Sequence, residues 1–241
     1  MRCVVNFAKA APWPNTWYPR GQLRLERSLF DQGFDGQVIL FRDESELNVL
    51  PHREMPYAFK VAALRAAAKR GCTSLLWADA SIFAIKPLDP IFDHIEKTGH
   101  LFFMSGFNCA QWTNDQALSI MGVTRDQADQ MPMLMACCMG FDLRNERTRQ
   151  FLDRFEHIVH HTLAVRGNWT NDLGTESQDP RCKGHRHDQS VASIIAAQLG
   201  MELQPPVLLN YYGPAIYQYG QPNDMSKISP DTVLLGHGMM S

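Results

Sequence analysis

The sequence predicts an α/β domain with a central, mostly parallel, twisted sheet flanked by helices. Three observations lead there. The run Ser74-Leu75-Leu76-Trp77-Ala78 is short, continuous and apolar, as strands buried on both faces are, and it stops at Asp79. Strand-like and helix-like stretches alternate from Cys3 to Asp79, a pattern that demands parallel pairing through right-handed crossovers. The chain has 241 residues, 45% of them hydrophobic, which suits a single domain over residues 1–241.

In chain order, Cys3 to Phe7 reads as a first buried strand. Ala10 to Arg20 holds Pro12, Trp13, Pro14, Trp17, Tyr18 and Pro19, and reads as a loop. Gly21 to Gln32 places Leu25 and Leu29 on one helix face and stops at Gly33. Val38 to Phe41 is a second strand, running into Arg42-Asp43-Glu44. Pro56 opens the clearest helix, with Phe59, Ala62, Ala63 and Ala66 at helical spacing and Gly71 as its end. The central strand follows. Beyond Asp79, Ser81 is two residues on, so in extended chain both side chains share a face.

Pro90 to Glu96 predicts a short helix and Leu101 to Phe103 a short strand. Residues 105–135 read as an irregular insertion able to cover a pocket. Met135 to Leu143 is strand-like, and Asn145 can cap a helix carrying Phe151, Phe155, Ile158 and Val159. Residues 165–187 form a polar loop long enough to carry function. Asp188 can cap a helix with Val191, Ile194, Ile195 and Leu199, ended by Gly200. Val207 to Leu209 and Val233 to Leu235 are late strands, followed by Gly236-His237-Gly238.

Composition removes several classes. A net charge of -2 offers no basic field for nucleic acid, and no apolar run is long enough to span a membrane. The N-terminus lacks a signal-peptide pattern. The six cysteines form no CxxC pair, so buried thiols in a reducing, cytoplasmic compartment are expected, not a disulfide framework. Without a secretory signal, the Asn168-Trp169-Thr170 sequon reads as chance. Neither GxGxxG nor GxxxxGK[ST] occurs, and no GxSxG elbow supports a hydrolase.

What remains is a set of polar residues at element ends. Asp79 closes a buried strand, where open α/β sheets place ligands, although an Asp there also caps turns. Asp43, after the second strand, can accept hydrogen bonds from a ribose or base, or stand solvated. Lys60 and Arg24 can contact phosphate, or lie on solvated helix faces. Asp188 is either a helix cap or an active-site carboxylate with oriented neighbours. Cys182, His185 and His187 offer zinc ligands, at a spacing that fits no common structural site. His237 between two glycines can ligate a divalent metal or sit in a terminal turn.

Four segments, in order, resemble the GT-A class of glycosyltransferases. Trp77-Ala78-Asp79-Ala80-Ser81 with Ile85-Lys86-Pro87-Leu88 resembles that class's hydrophobic-Leu-Asp-Ala-Asp … Arg-Pro-Leu segment. Cys138-Met139-Gly140-Phe141-Asp142-Leu143 resembles its Asn-x-Gly-hydrophobic strand. His187-Asp188-Gln189 resembles the Asp-Gln that opens a helix in family 8, which holds glycogenin and bacterial galactosyltransferase relatives. Gly236-His237-Gly238 stands where that family has a late metal-binding histidine. The layout also resembles algal-virus sugar transferases. Ser81 departs from the pattern, standing where the family has a second metal carboxylate, and a hydroxyl is a poorer ligand for a hard cation.

The resemblance implies transfer of a sugar from a nucleotide diphosphate sugar, a UDP-sugar foremost, to a hydroxyl on a glycan, protein or small molecule. It implies Mn or Mg held by Asp79, Ser81 and His237, and donor contacts from Asp43, Lys60, Arg24, Gly140 and Gln189. Asp188 is the expected catalytic carboxylate. Retention of anomeric configuration follows from the family 8 likeness; a likeness of fold alone would leave Asp188 as a base for inversion. Trp112, Asn114, Asp115, Trp169, Asn171, Asp172 and His187 are expected at the sugar or acceptor, since aromatic faces suit the C–H face of a sugar. Two other classes stay open at this point. One is a metal-dependent phosphoester or nucleotide-sugar hydrolase; the other is a nucleotide-sugar-binding module without turnover.

Overall fold

The structure is a computed structural model that describes residues 1–10, 17–211 and 228–236. Its main sheet has the order β2-β1-β3-β6-β5, built from β1 (Arg2–Phe7), β2 (Gln37–Phe41), β3 (Ser74–Ala78), β5 (His100–Asn108) and β6 (Pro132–Asp142). β1 pairs in parallel with both β2 and β3, as the strand–helix–strand alternation requires. β6 runs antiparallel to β3 and to β5, so β6 alone opposes the shared direction. β4 (Ile82–Ala84), β7 (Leu209–Asn210) and β8 (Leu234–Gly236) form a second sheet in the order β4-β8-β7.

Helices cover both faces of the main sheet. α2 (Ala58–Lys69), α6 (Glu146–His161) and α7 (Asp188–Gln198) share one core with Val5, Leu75, Trp77 and Phe141. α1 (Trp17–Asp31) and α3 (Asp89–Thr98) share the other with Val4, Leu76, Ala78 and Leu101. Alternate residues of β3 therefore serve opposite cores, and all five are buried. Gly33 and Gly71, at φ 70° and 87°, end α1 and α2 in the left-handed region that glycine adopts without strain.

Several expectations need correction. α1 begins at Trp17, inside the stretch read as loop, because Pro19 is tolerated in a helix's first turn. Pro12, Trp13 and Pro14 lie outside the described residues. Residues 105–135 are more ordered than their composition predicts. They hold the end of β5, α4 (Asp115–Ile120) and α5 (Arg125–Asp129), capped by Asn114 and Thr124 side chains. The expectation of thiols alone fails as well. Cys3 and Cys72 are joined in a disulfide across 69 residues. Cys3 lies opposite Leu75 in the parallel β1–β3 register, which brings the start of β1 beside the residue approaching β3. Cys109, Cys137, Cys138 and Cys182 remain free. Among the described residues, no helix is long and apolar enough to cross a membrane.

The loop 165–187 is held by its own polar groups. The Asn171 side chain donates to the carbonyls of Ser177 and Cys182 and accepts from the amides of Glu176 and Ser177. Asn145 caps α6 as expected, accepting from the Thr148 amide.

Candidate active site

The carboxyl ends of β1 and β3 carry a layer of buried polar groups. Asn6 donates to the Ala78 carbonyl, and Gln22 on α1 donates to Asn6 and to the Phe41 carbonyl. This layer ties three strands together just below Asp79. There the chain leaves the strand in a tight turn, with the Ile82 amide on the Asp79 carbonyl at 2.8 Å. The turn overrides the extended-chain argument for Asp79 and Ser81. The Asp79 carboxylate accepts from Trp77 Nε1 at 2.6 Å and lies 3.4 Å from Lys60 Nζ. Ser81 instead places Oγ 3.5 Å from the Tyr211 hydroxyl.

Lys60 is the centre of the arrangement. It projects from α2 into the core and is only 2% exposed, which corrects the reading of a solvated helix face. Its ammonium meets Asp188 Oδ2 at 2.7 Å and donates to the Ala136 carbonyl at 2.9 Å. The rings of Tyr57 and Trp77 lie 5.4 and 5.2 Å from Nζ. Burial alone would lower the ammonium's pKa. Asp188 and Asp79 outweigh it and raise that pKa above the usual lysine range. Burial raises the Asp188 pKa, with the Lys60 charge opposing. One buried cation thus sits between a buried carboxylate, Asp188, and a partly exposed one, Asp79.

Asp188 opens α7 but does not cap it. His187 occupies the cap position, at φ 49°, without a side-chain capping bond. Its Nδ1 lies 3.0 Å from the Val165 carbonyl. Its ring packs against Tyr57, Trp169 and His185 at 5.6, 5.0 and 5.3 Å. Arg186 stacks between two indoles, 3.6 Å from the Trp112 ring and 4.7 Å from that of Trp169. The insertion and the long loop therefore meet beside Asp188, and Trp169 is 53% exposed there.

Other predicted residues have different surroundings. Asp43 caps a short 3-10 turn (Glu44–Leu47). The Ser45 amide and then Lys9, at 2.9 Å, hold its carboxyl well below the usual range. Arg24 donates to the Ser81 carbonyl and lies over Phe83. Gly140 faces Ile95 and Leu101, where a β-carbon would come within 2.5 Å of Ile95, so packing explains this glycine without a donor contact. Asn114 caps α4 and donates to Glu176 and to the Arg166 carbonyl. Asp115 is bound by Arg125 and Ser177. Gln189 is half-buried in the first turn of α7, and Asp172 is exposed on the loop. The zinc reading fails: Cys182 Sγ points at the Thr113 and Gly184 carbonyls, and no three possible ligands group among the described residues. His237 lies outside the described residues.

Sequence reasoning missed Tyr57 and Cys137. Tyr57 precedes α2 at φ 60°, and burial and then Asp188 raise its pKa. The Cys137 carbonyl accepts the Asp79 amide at 2.8 Å. Neither carries a linear motif. Only the approach of α2, β6 and α7 to Asp79 marks them.

The chain matches no protein-family model and no curated protein. Among solved structures it is similar to mouse xyloside xylosyltransferase 1 in its apo form. That match has TM-score 0.53 and 9% identity, over 98% of this chain and 97% of the other. It is also similar to a glycosyltransferase involved in the glycosylation of the major capsid of PBCV-1, at TM-score 0.52 and 10% identity over 97% and 93%. A third likeness is to the galactosyltransferase LgtC with donor and acceptor sugar analogs, at TM-score 0.48 and 13% identity over 99% and 87%. The first two extend over nearly the whole of each chain, and the fold is one that these glycosyltransferases share.

Proposed function

We propose that the chain is a glycosyltransferase that moves a sugar from a nucleotide diphosphate sugar, a UDP-sugar foremost, to an acceptor hydroxyl. The observation that carries this reading is the buried Lys60–Asp188 pair with the half-exposed Asp79 beside it at the carboxyl end of β3, in a fold shared with glycosyltransferases. Sugar transfer breaks the anomeric C–O bond. Negative charge grows on the diphosphate and positive charge on the sugar ring. Asp188, buried at the start of α7, faces the second of these charges. Lys60 holds its carboxylate in one orientation, so no reorganisation is needed during reaction. Arg24, at the neighbouring turn, supports the donor side.

A divalent cation, Mn or Mg, fits the donor set in part. Asp79 provides a hard carboxylate whose side chain is 36% exposed, while Ser81 is turned toward Tyr211. Asp79 and His237 would hold the ion, and its chemistry there is neutralisation of the diphosphate as a Lewis acid. With one carboxylate for anchorage, the ion binds more weakly without donor than with it. The Trp112–Arg186–Trp169 stack offers aromatic faces to the acceptor or sugar. Retention of configuration belongs to the same reading, with Asp188 beside the anomeric carbon.

Calorimetry with UDP, GDP, ADP and CDP, with and without Mn or Mg, tests the reading. Metal-enhanced binding of one nucleotide is expected, weakened by Asp79→Asn. Binding of none overturns it. Full-rate sugar release without acceptor would identify a hydrolase instead.

A further inference from the structure

We propose that His187 is the base that takes the proton from the acceptor hydroxyl, working beside Asp188; this deepens the transferase reading and rests on it. The first observation is the ring's tautomer. A carbonyl oxygen only accepts, so the 3.0 Å contact with the Val165 carbonyl places the hydrogen on Nδ1. In the neutral ring, Nε2 then carries the lone pair. The second is backbone strain. His187 at φ 49° and Tyr57 at φ 60° are two of the three positive-φ non-glycine residues among those described. Their rings pack 5.6 Å apart, next to the Lys60–Asp188 pair. Strained backbone of this kind persists where packing over-determines it, and it gathers at functional sites. Third, His187 stands at the cap position of α7 yet its side chain makes no capping bond, so the imidazole is not needed to start the helix.

The Asp188 carboxylate is already engaged by Lys60, at 2.7 Å. In the proposed step the acceptor proton passes to Nε2, giving an imidazolium. The acceptor oxygen forms the new bond to the anomeric carbon on the face that the diphosphate leaves, so configuration is retained, and the old C–O bond breaks with its electron pair remaining on the diphosphate. The imidazolium then returns its proton to water. The titratable and charged groups around the ring are Lys60 on α2, Tyr57 just before it, His52 on the preceding loop, His185 and Arg186 on its own segment, and Asp188 on α7.

Two variants test the proposal. In His187→Asn the side-chain amide can still donate to the Val165 carbonyl, so positioning is kept and the base is lost. His187→Gly relaxes the positive-φ backbone and opens a slot beside the exposed Trp169. The expected result for His187→Asn is a fall in kcat of about 10²–10³ with UDP affinity unchanged by calorimetry. His187→Gly is expected to be equally slow and to regain turnover with added imidazole. A His187→Asn variant that turns over like the parent overturns the proposal. So does a His187→Gly variant that binds UDP but gains nothing from imidazole. If the parent chain neither binds a nucleotide diphosphate nor transfers sugar, the transferase reading falls and takes the proposal with it.

Discussion

Lys60 is a charged residue placed where a hydrophobic one would ordinarily pack, and its stability depends on its partners. Lys60→Met leaves Asp188 buried without its cation. The expected loss is about 3–5 kcal/mol in chemical denaturation. Adding Asp188→Leu to Lys60→Met should recover much of that stability, because a buried ion pair costs about as much to desolvate as it returns, and on the proposed transferase reading it should leave no sugar transfer. His185 is fully buried and neutral, with burial and then His187 pushing its pKa down to about 3. The unfolded chain therefore binds more protons below pH 6.5, and stability should fall as the pH drops from 6.5 toward 3. Between pH 6.5 and about 5 the expected loss is on the order of 2 kcal/mol. His52 and His100, also lowered by burial, add in the same direction. A His185→Gln variant should show a shallower dependence of midpoint on pH; an unchanged slope would show that His185 does not set it.

Strand β6 brings two functions into one element. Its C-terminal end packs against α3 through Gly140, and its middle, Ala136–Cys137, supplies carbonyls to Lys60 and Asp79. Gly140→Ala should therefore destabilise the protein by about 1–3 kcal/mol through overpacking, while the nucleotide binding proposed above stays unchanged in folded protein. Thermal melts and calorimetry on the same sample separate the two effects. A stable variant that has lost nucleotide binding would restore the glycine to the donor site.

The whole molecule is closed at the base of its sheet by the Cys3–Cys72 disulfide. The bond spans 69 residues and encloses β1, α1, β2 and α2. Loop-closure entropy for a loop of that size is about 4 kcal/mol. Reduction, or Cys3→Ser with Cys72→Ser, should lower the melting temperature by an amount corresponding to most of that figure. Equal melting temperatures with and without reductant would show that the bond contributes nothing. Since the sheet's carboxyl end lies away from this base, nucleotide binding should survive reduction at temperatures where the chain stays folded.

The α/β class, the central strand and the helices starting near Pro56, Asn145 and Asp188 were legible in the chain itself. Each rests on local physics: apolar runs, helical periodicity and caps act between residues close in sequence. The acid ending β3 and the acid opening α7 were legible for the same reason, as element ends. Everything that depends on separate segments meeting was not. Composition could not assign Lys60 to the core, because a helix shows which face it buries only when β3, β6 and α7 close around it. It could not pair Cys3 with Cys72, which the β1–β3 register brings together. Nor could it turn Ser81 away from Asp79, join Trp112 to Trp169 through Arg186, or fix the tautomer of His187 with a carbonyl 22 residues earlier. Burial and long-range pairing arise from tertiary contact, and the chemistry of this site is made almost wholly from those two.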